Sequence, residues 1–176
     1  MQFITALQFL AALTAVSAAP SAPHSEVSNE LSKRADIFDM DCGGETFDIQ
    51  DIRSTFNQFV SVANLPNNQK PAAGTRVYPQ QYGNNKGIPS DPEVVAALDA
   101  IPGCKTGQSG FKYFEYPLAN PVWTGGPQTS QGPHRIISIA QNVGPGGSRT
   151  YTYCTAITHR GGNGMGDGSF RACKQV

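Results

Sequence analysis

Apolar residues recur at Ile49, Ile52, Phe56, Phe59, Val60 and Ala63, steps of three and four that line one face of a helix. Asp48 or Thr46 can cap its start, and Asn64 before Pro66 ends it. This is the one long helical period. A shorter helix is expected from Pro92 to Ala100. Proline takes its first helical position, where the missing N–H costs nothing, and Pro102-Gly103 stops it. The period then changes. Phe111 to Leu118 is rich in aromatics, and Arg135 to Ala140 carries Ile136, Ile137 and Ile139. Tyr151 to His159 alternates, with Tyr151, Tyr153, Thr155 and Ile157 on one face, and Phe170 to Lys174 makes a short terminal strand. Glycine-rich turns separate these runs. The pattern predicts an α+β domain, one main helix packed on an antiparallel sheet. Residues 119–133 and 160–169 read as long loops, which often carry function in compact domains.

The first 34 residues do not fit that domain. Phe3, Ile4, Leu7, Phe9, Leu10 and Leu13 form an apolar stretch that ends in Val16-Ser17-Ala18-Ala19, the form of a secretory signal peptide cut near Ala18 (1–18). Residues 19–34 are rich in Ser, Ala, Pro and Glu and close on Lys33-Arg34, a dibasic pair of the kind that processing proteases cut. A domain from Ala35 to Val176 is expected. All four cysteines fall within it: Cys42, Cys104, Cys154 and Cys173. An even count in an exported chain implies two disulfides, with three pairings open. The absence of any CxxC spacing argues against zinc.

Composition sharpens this picture. The 19 glycines and 13 prolines argue against a helical bundle or coiled coil. The formal net charge is zero, which excludes a strongly basic nucleic-acid coat or a polybasic membrane binder. No apolar run reaches the ~20 residues of a membrane span. The charges are segregated, however. Carboxylates crowd residues 35–100, while residues 101–176 hold only Glu115 and Asp167 against Lys105, Lys112, Arg135, Arg149, Arg160, Arg171 and Lys174. A neutral total can therefore conceal a basic face suited to an anionic ligand.

No GxGxxG, P-loop, HExxH or GxSxG occurs. Three residues stand out instead. Glu115 sits among Phe111, Tyr113, Phe114 and Tyr116, and a charge in such company suits general-base work. The plain alternative is an outward-facing strand residue. His159 ends an apolar strand before Arg160-Gly161-Gly162 and could act as a general acid, or could be a structural histidine. Arg135 could hold an anion or form a rim salt bridge. It adjoins His134, and strand neighbours point to opposite faces.

Taken together and in order, five segments resemble the small fungal extracellular ribonucleases of the guanyl-preferring family, which includes the sarcin-like ribotoxins. They are Tyr78-Pro79-Gln80-Gln81-Tyr82, Glu115-Tyr116-Pro117-Leu118, Gly132-Pro133-His134-Arg135-Ile136-Ile137, Cys154-Thr155-Ala156-Ile157-Thr158-His159 and Phe170-Arg171-Ala172-Cys173. The resemblance implies a helix on a twisted antiparallel sheet, a site on the sheet's open face, and disulfides Cys42–Cys173 and Cys104–Cys154. It implies cleavage of single-stranded RNA, ribosomal RNA included, by transesterification to a 2′,3′-cyclic phosphate. The protein would be a monomer needing no metal or cofactor and no membrane. Glu115 would take the proton of the ribose 2′-OH and His159 would protonate the leaving 5′-oxygen. Arg135 and Tyr78 would stabilise the charged phosphorane. Tyr82, Asn84, Asn85 and Phe170 would contact the substrate.

The match breaks in two places. The family's motif begins Tyr-Pro-His, and Gln80 stands at the third position, able to hydrogen-bond but not to carry charge. The guanine-reading run ends in a carboxylate in the family, and Lys86 offers only donors there, which argues against guanine preference. Two readings of different class follow. One is a secreted endoribonuclease with relaxed base preference. The other is a catalytically impaired ribonuclease-like effector that binds RNA or host proteins. A third, plainer reading is a disulfide-stabilised domain for a cell-wall ligand.

Overall fold

The computed structural model describes residues 37–83, 89–142, 149–159 and 169–176. The expected signal peptide and pro-segment lie outside the described residues, as do Asn84, Asn85 and the loop 160–168.

Two short strands, β1 (Met40–Asp41) and β2 (Thr46–Phe47), lead into helix α1 (Ile49–Ala63). Asp48 is its cap. The Asp48 carboxylate accepts the Asp51 N–H at 2.8 Å, and the Asp51 carboxylate accepts the Asp48 N–H at 3.2 Å, a reciprocal box that satisfies two donors. Asp39 takes the Ile49 N–H at 2.7 Å, tying the helix start to the chain before β1. The buried face of α1 is Ile52, Thr55, Phe56, Phe59, Val62 and Ala63, close to the expected stripe, with Val62 taking the inward place expected of Val60.

Next come β3 (Ala72–Ala73), β4 (Arg76–Val77) and β5 (Gln80–Gln81), then helix α2 (Pro92–Asp99). The remaining strands are β6 (Lys112–Pro117), β7 (His134–Asn142), β8 (Arg149–His159), β9 (Phe170–Ala172) and β10 (Lys174–Gln175). The main sheet is antiparallel, in the order β5-β6-β7-β8-β9. A second small sheet has the order β10-β1-β2, and β3 pairs with β4.

The main sheet is covered on both faces. Against α1 lie Tyr116, Ile136, Ala140, Tyr151, Tyr153 and Ala156. Phe59 meets Tyr151 and Tyr116 edge to face, with ring centroids 5.1 and 6.3 Å apart. On the opposite face Val94 and Leu98 of α2 pack with Tyr113, Ile137, Ile139, Cys154 and Ile157. The second helix therefore closes part of the face that the family resemblance leaves open.

Two expectations need correction. Ile137 pairs with Thr155 but Ser138 with Tyr153, so Cys154 is an extra residue in β8. An inserted residue changes the parity of a strand. Tyr151 and Tyr153 face α1, whereas Ile157 joins the cluster under α2, so the four alternating residues do not share one face. The terminal strand also divides at Cys173. β9 continues the main sheet and β10 crosses to β1, because Cys173 is bonded to Cys42. The second disulfide, Cys104–Cys154, fastens the segment after α2 to the bulge in β8.

Candidate active site

The register of the main sheet sets Gln80 of β5 directly opposite Glu115 of β6. The Gln80 side-chain amide donates to Glu115 Oε1 across the strands. Glu115 is only 5% exposed, and its Oε2 has no hydrogen-bond partner among the described residues. Burial pushes the carboxyl above the usual carboxylate range; the Arg135 charge, the Gln80 hydrogen bond and the Arg76 charge oppose it in that order without cancelling it. A carboxylate held this way is a stronger proton acceptor than an exposed one.

Glu115 opens on a cavity of about 520 Å³, within the size range of ligand pockets. Arg76, Gln80, Gln81, Tyr82, Gly83, Ser90, Asp91, His159 and Phe170 complete its lining. His159 arrives at the end of β8, paired with Phe170 of β9, and its ring lies over the Phe170 ring with centroids 3.9 Å apart. Its backbone N–H donates to Pro133 at 3.1 Å. Phe170 in turn meets the edge of Tyr82 at 5.5 Å. The Tyr82 hydroxyl donates to Asp91 Oδ2 at 3.1 Å, and the Phe170 N–H donates to Asp91 Oδ1 at 3.4 Å. Asp91 begins α2 but makes no side-chain cap. Its carboxylate instead holds the two aromatic walls of the cavity.

Of the residues expected to form the site, Glu115, Gln80, His159, Tyr82 and Phe170 come together here. Arg135 and Tyr78 do not line the cavity. Arg135 is 1% exposed, and its Nη1 donates to the carbonyls of Gln131, Gly132 and His134 at 3.2, 2.8 and 2.6 Å. Its guanidinium carbon stands 5.8 Å from the Tyr78 ring centroid. Tyr78 is fully buried between Tyr116 and Trp123, and its hydroxyl donates to the Gln131 side chain. Burial pushes that phenol up. Arg135 still reaches Glu115 through its field. His134 takes no part in the cavity. Its Nε2 pairs with Glu45 at 2.9 Å, its ring packs on Phe47, and burial lowers its pKa.

Arg76 and Asp91 were missed in the sequence. Arg76 is the sole cation between Lys70 and Lys86 and stands just before the Tyr-Pro motif, a signal that could have been weighed. Among the described residues no group of three or more His, Cys, Asp or Glu could hold a metal ion, and no helix is long and apolar enough to cross a membrane. No family model and no curated protein matches the chain.

Proposed function

We propose that the protein is a secreted endoribonuclease that cleaves single-stranded RNA through its own ribose hydroxyl. One observation carries this reading. Glu115 and His159, a carboxylate and an imidazole distant in sequence, line the same cavity, with the carboxylate buried and the imidazole against an aromatic wall. In the reaction the 2′-OH gives its proton to Glu115 while its oxygen bonds to phosphorus. The P–O5′ bond breaks, and His159 supplies the proton to the departing oxygen. The products are a 2′,3′-cyclic phosphate and a free 5′-hydroxyl. Glu115 must be ionised to start, so the acid limb of the rate profile lies above that of an ordinary carboxylate.

The test is cleavage of total RNA and short oligonucleotides by the purified protein with chelator present. Cyclic-phosphate ends are expected, as is a loss of about 10²–10⁴-fold in His159→Ala and Glu115→Gln. Equal cleavage by all three proteins would remove the assignment.

The second reading, binding of RNA or a host protein without cleavage, draws on Arg135 and Tyr78. The Arg135 Nη1 is spent on backbone carbonyls and the Tyr78 hydroxyl on Gln131, and neither residue lines the cavity where the expected stabilisers of the phosphorane would act. RNA retained by the protein with no chelator-resistant cleavage would select it.

A further inference from the structure

A cavity that holds a phosphodiester next to a carboxylate needs a fixed cation besides the His159 acid, and Gln80 and Arg135 do not supply one among its lining residues. Gln80 is uncharged, and Arg135 is buried, does not line the cavity and has its Nη1 committed to three carbonyls. Arg76 is different. It is exposed, it lines the cavity with Glu115, Gln80 and His159, and among the described residues it forms no salt bridge. Its position is built rather than accidental. Arg76 pairs with Ala73 in the β3–β4 hairpin, which turns at Gly74 with φ of 62°. The hairpin is clamped to Gly126, whose N–H donates to Ala72 at 2.9 Å and whose carbonyl accepts the Gly74 N–H at 3.4 Å. Ala73 is fully buried at that clamp.

We propose that Arg76 is the anion-binding residue of this cavity, reaching a non-bridging oxygen of the phosphate from β4, the role that the family resemblance gives to Arg135. For RNA as the ligand this rests on the ribonuclease reading; the anion site itself does not. A guanidinium offers a fork of donors that fits a phosphate oxygen pair, and it keeps its charge at every working pH. Its charge also reaches Glu115 and Tyr78, at both of which it opposes the effect of burial. The other groups around Glu115 and its cavity are Arg135, Gln80, His159, Tyr78, Tyr82 and Asp91. Arg76 thus supplies near Glu115 the positive charge that a protonated histidine at position 80 would supply, without that histidine's own titration in the neutral range.

The experiment compares wild type, Arg76→Gln and Arg76→Lys in three measurements. The first is affinity for inorganic phosphate and for an uncleavable DNA trinucleotide. The second is the titration of the Glu115 carboxyl by carbon NMR. The third is kcat/KM on RNA against pH. In Arg76→Gln, affinity for both probes should fall about tenfold or more, and kcat/KM about 10²-fold, as when one donor to a developing oxyanion is removed. The Glu115 titration and the acid limb should both move to higher pH, because an opposing positive charge is gone. Arg76→Lys should restore the titration in full and the affinity in part. A purely structural Arg76 would leave the Glu115 titration in place. Stronger loss for the trinucleotide than for free phosphate assigns the site to a phosphodiester; equal loss assigns it to any phosphate. Cleaving proteins with equal affinity and equal titration in wild type and Arg76→Gln would overturn the role of Arg76 and leave the ribonuclease standing. Arg76-dependent binding with no cleavage by any of the three would support Arg76 and overturn the ribonuclease.

Discussion

The two faces of the main sheet differ in their buried aromatic residues, which are concentrated under α1, and in how they treat polar atoms. Under α1, Phe56 and Phe59 meet Tyr116, Tyr151 and Tyr153 edge to face, and the polar tips of two tyrosines find partners at the rim. Tyr116 donates to the Trp123 carbonyl at 3.0 Å and Tyr151 to Asn64 at 2.9 Å. The buried atoms left over on that side are the hydroxyls of Thr55, Ser138 and Tyr153 and the Nδ1 of His134, whose ring packs on Phe47. On the cavity side the leftover atoms belong to ionisable groups, Glu115 Oε2 and Arg135 Nε. A neutral hydroxyl without a partner costs about 1–3 kcal/mol, and a charged group costs more. Buried ionisable atoms without a partner are concentrated at sites that use them, which supports the cavity face as the candidate site.

Three substitutions would break or sharpen that contrast. Phe59→Ala should have the largest effect. It empties the centre of the α1 face and should cost about 3–5 kcal/mol in urea denaturation, with RNA affinity of the folded fraction unchanged. A loss under 1 kcal/mol would mean that this face is not the main core. Glu115→Gln should do the opposite, removing activity while sparing stability. The sign follows from the raised carboxyl. Its ionisation works against the fold, so its contribution is most favourable below the unfolded pKa and is lost as pH rises through the folded one. The variant should therefore match wild type near pH 3 and exceed it in stability at pH 8. A variant less stable at pH 8 than at pH 3, relative to wild type, would contradict the direction of the shift. The smallest effect is expected from Tyr82→Phe. It deletes the hydroxyl bond to Asp91 and keeps the ring against Phe170, for a loss of about 1 kcal/mol and a modest fall in rate. A rate loss as large as that of His159→Ala would show that Asp91, through Tyr82, governs the site.

Much of this arrangement was legible because it repeats. α1 carries its apolar stripe over four turns and its capping residues within three positions of each other, and Pro92 marks α2 as clearly. β6, β7, β8 and β9 are long enough, or apolar enough, to show themselves. The strands of two residues were not legible, since two residues have no period. β5 is the costly omission, because its pairing is what brings Gln80 to Glu115. The bulge at Cys154 was equally silent. One inserted residue leaves the local alternation intact and changes only which face each half of β8 presents.

By itself, the order of residues determined the helices, the long strands and the pool of groups able to do acid–base chemistry: Glu115 among aromatics and His159 at a strand end. Local periodicity and capping are short-range effects, and they are written in neighbouring residues. The tertiary structure alone decided which of those groups would meet. It turned Arg135 and Tyr78 into the interior, paired His134 with Glu45, and carried Arg76 and Asp91 into the cavity. Those outcomes depend on strand register, on a hairpin clamped at Gly126 and on a carboxylate shared between Tyr82 and Phe170. All of these are contacts between residues far apart in the chain, whose energies exist only once the sheet has formed.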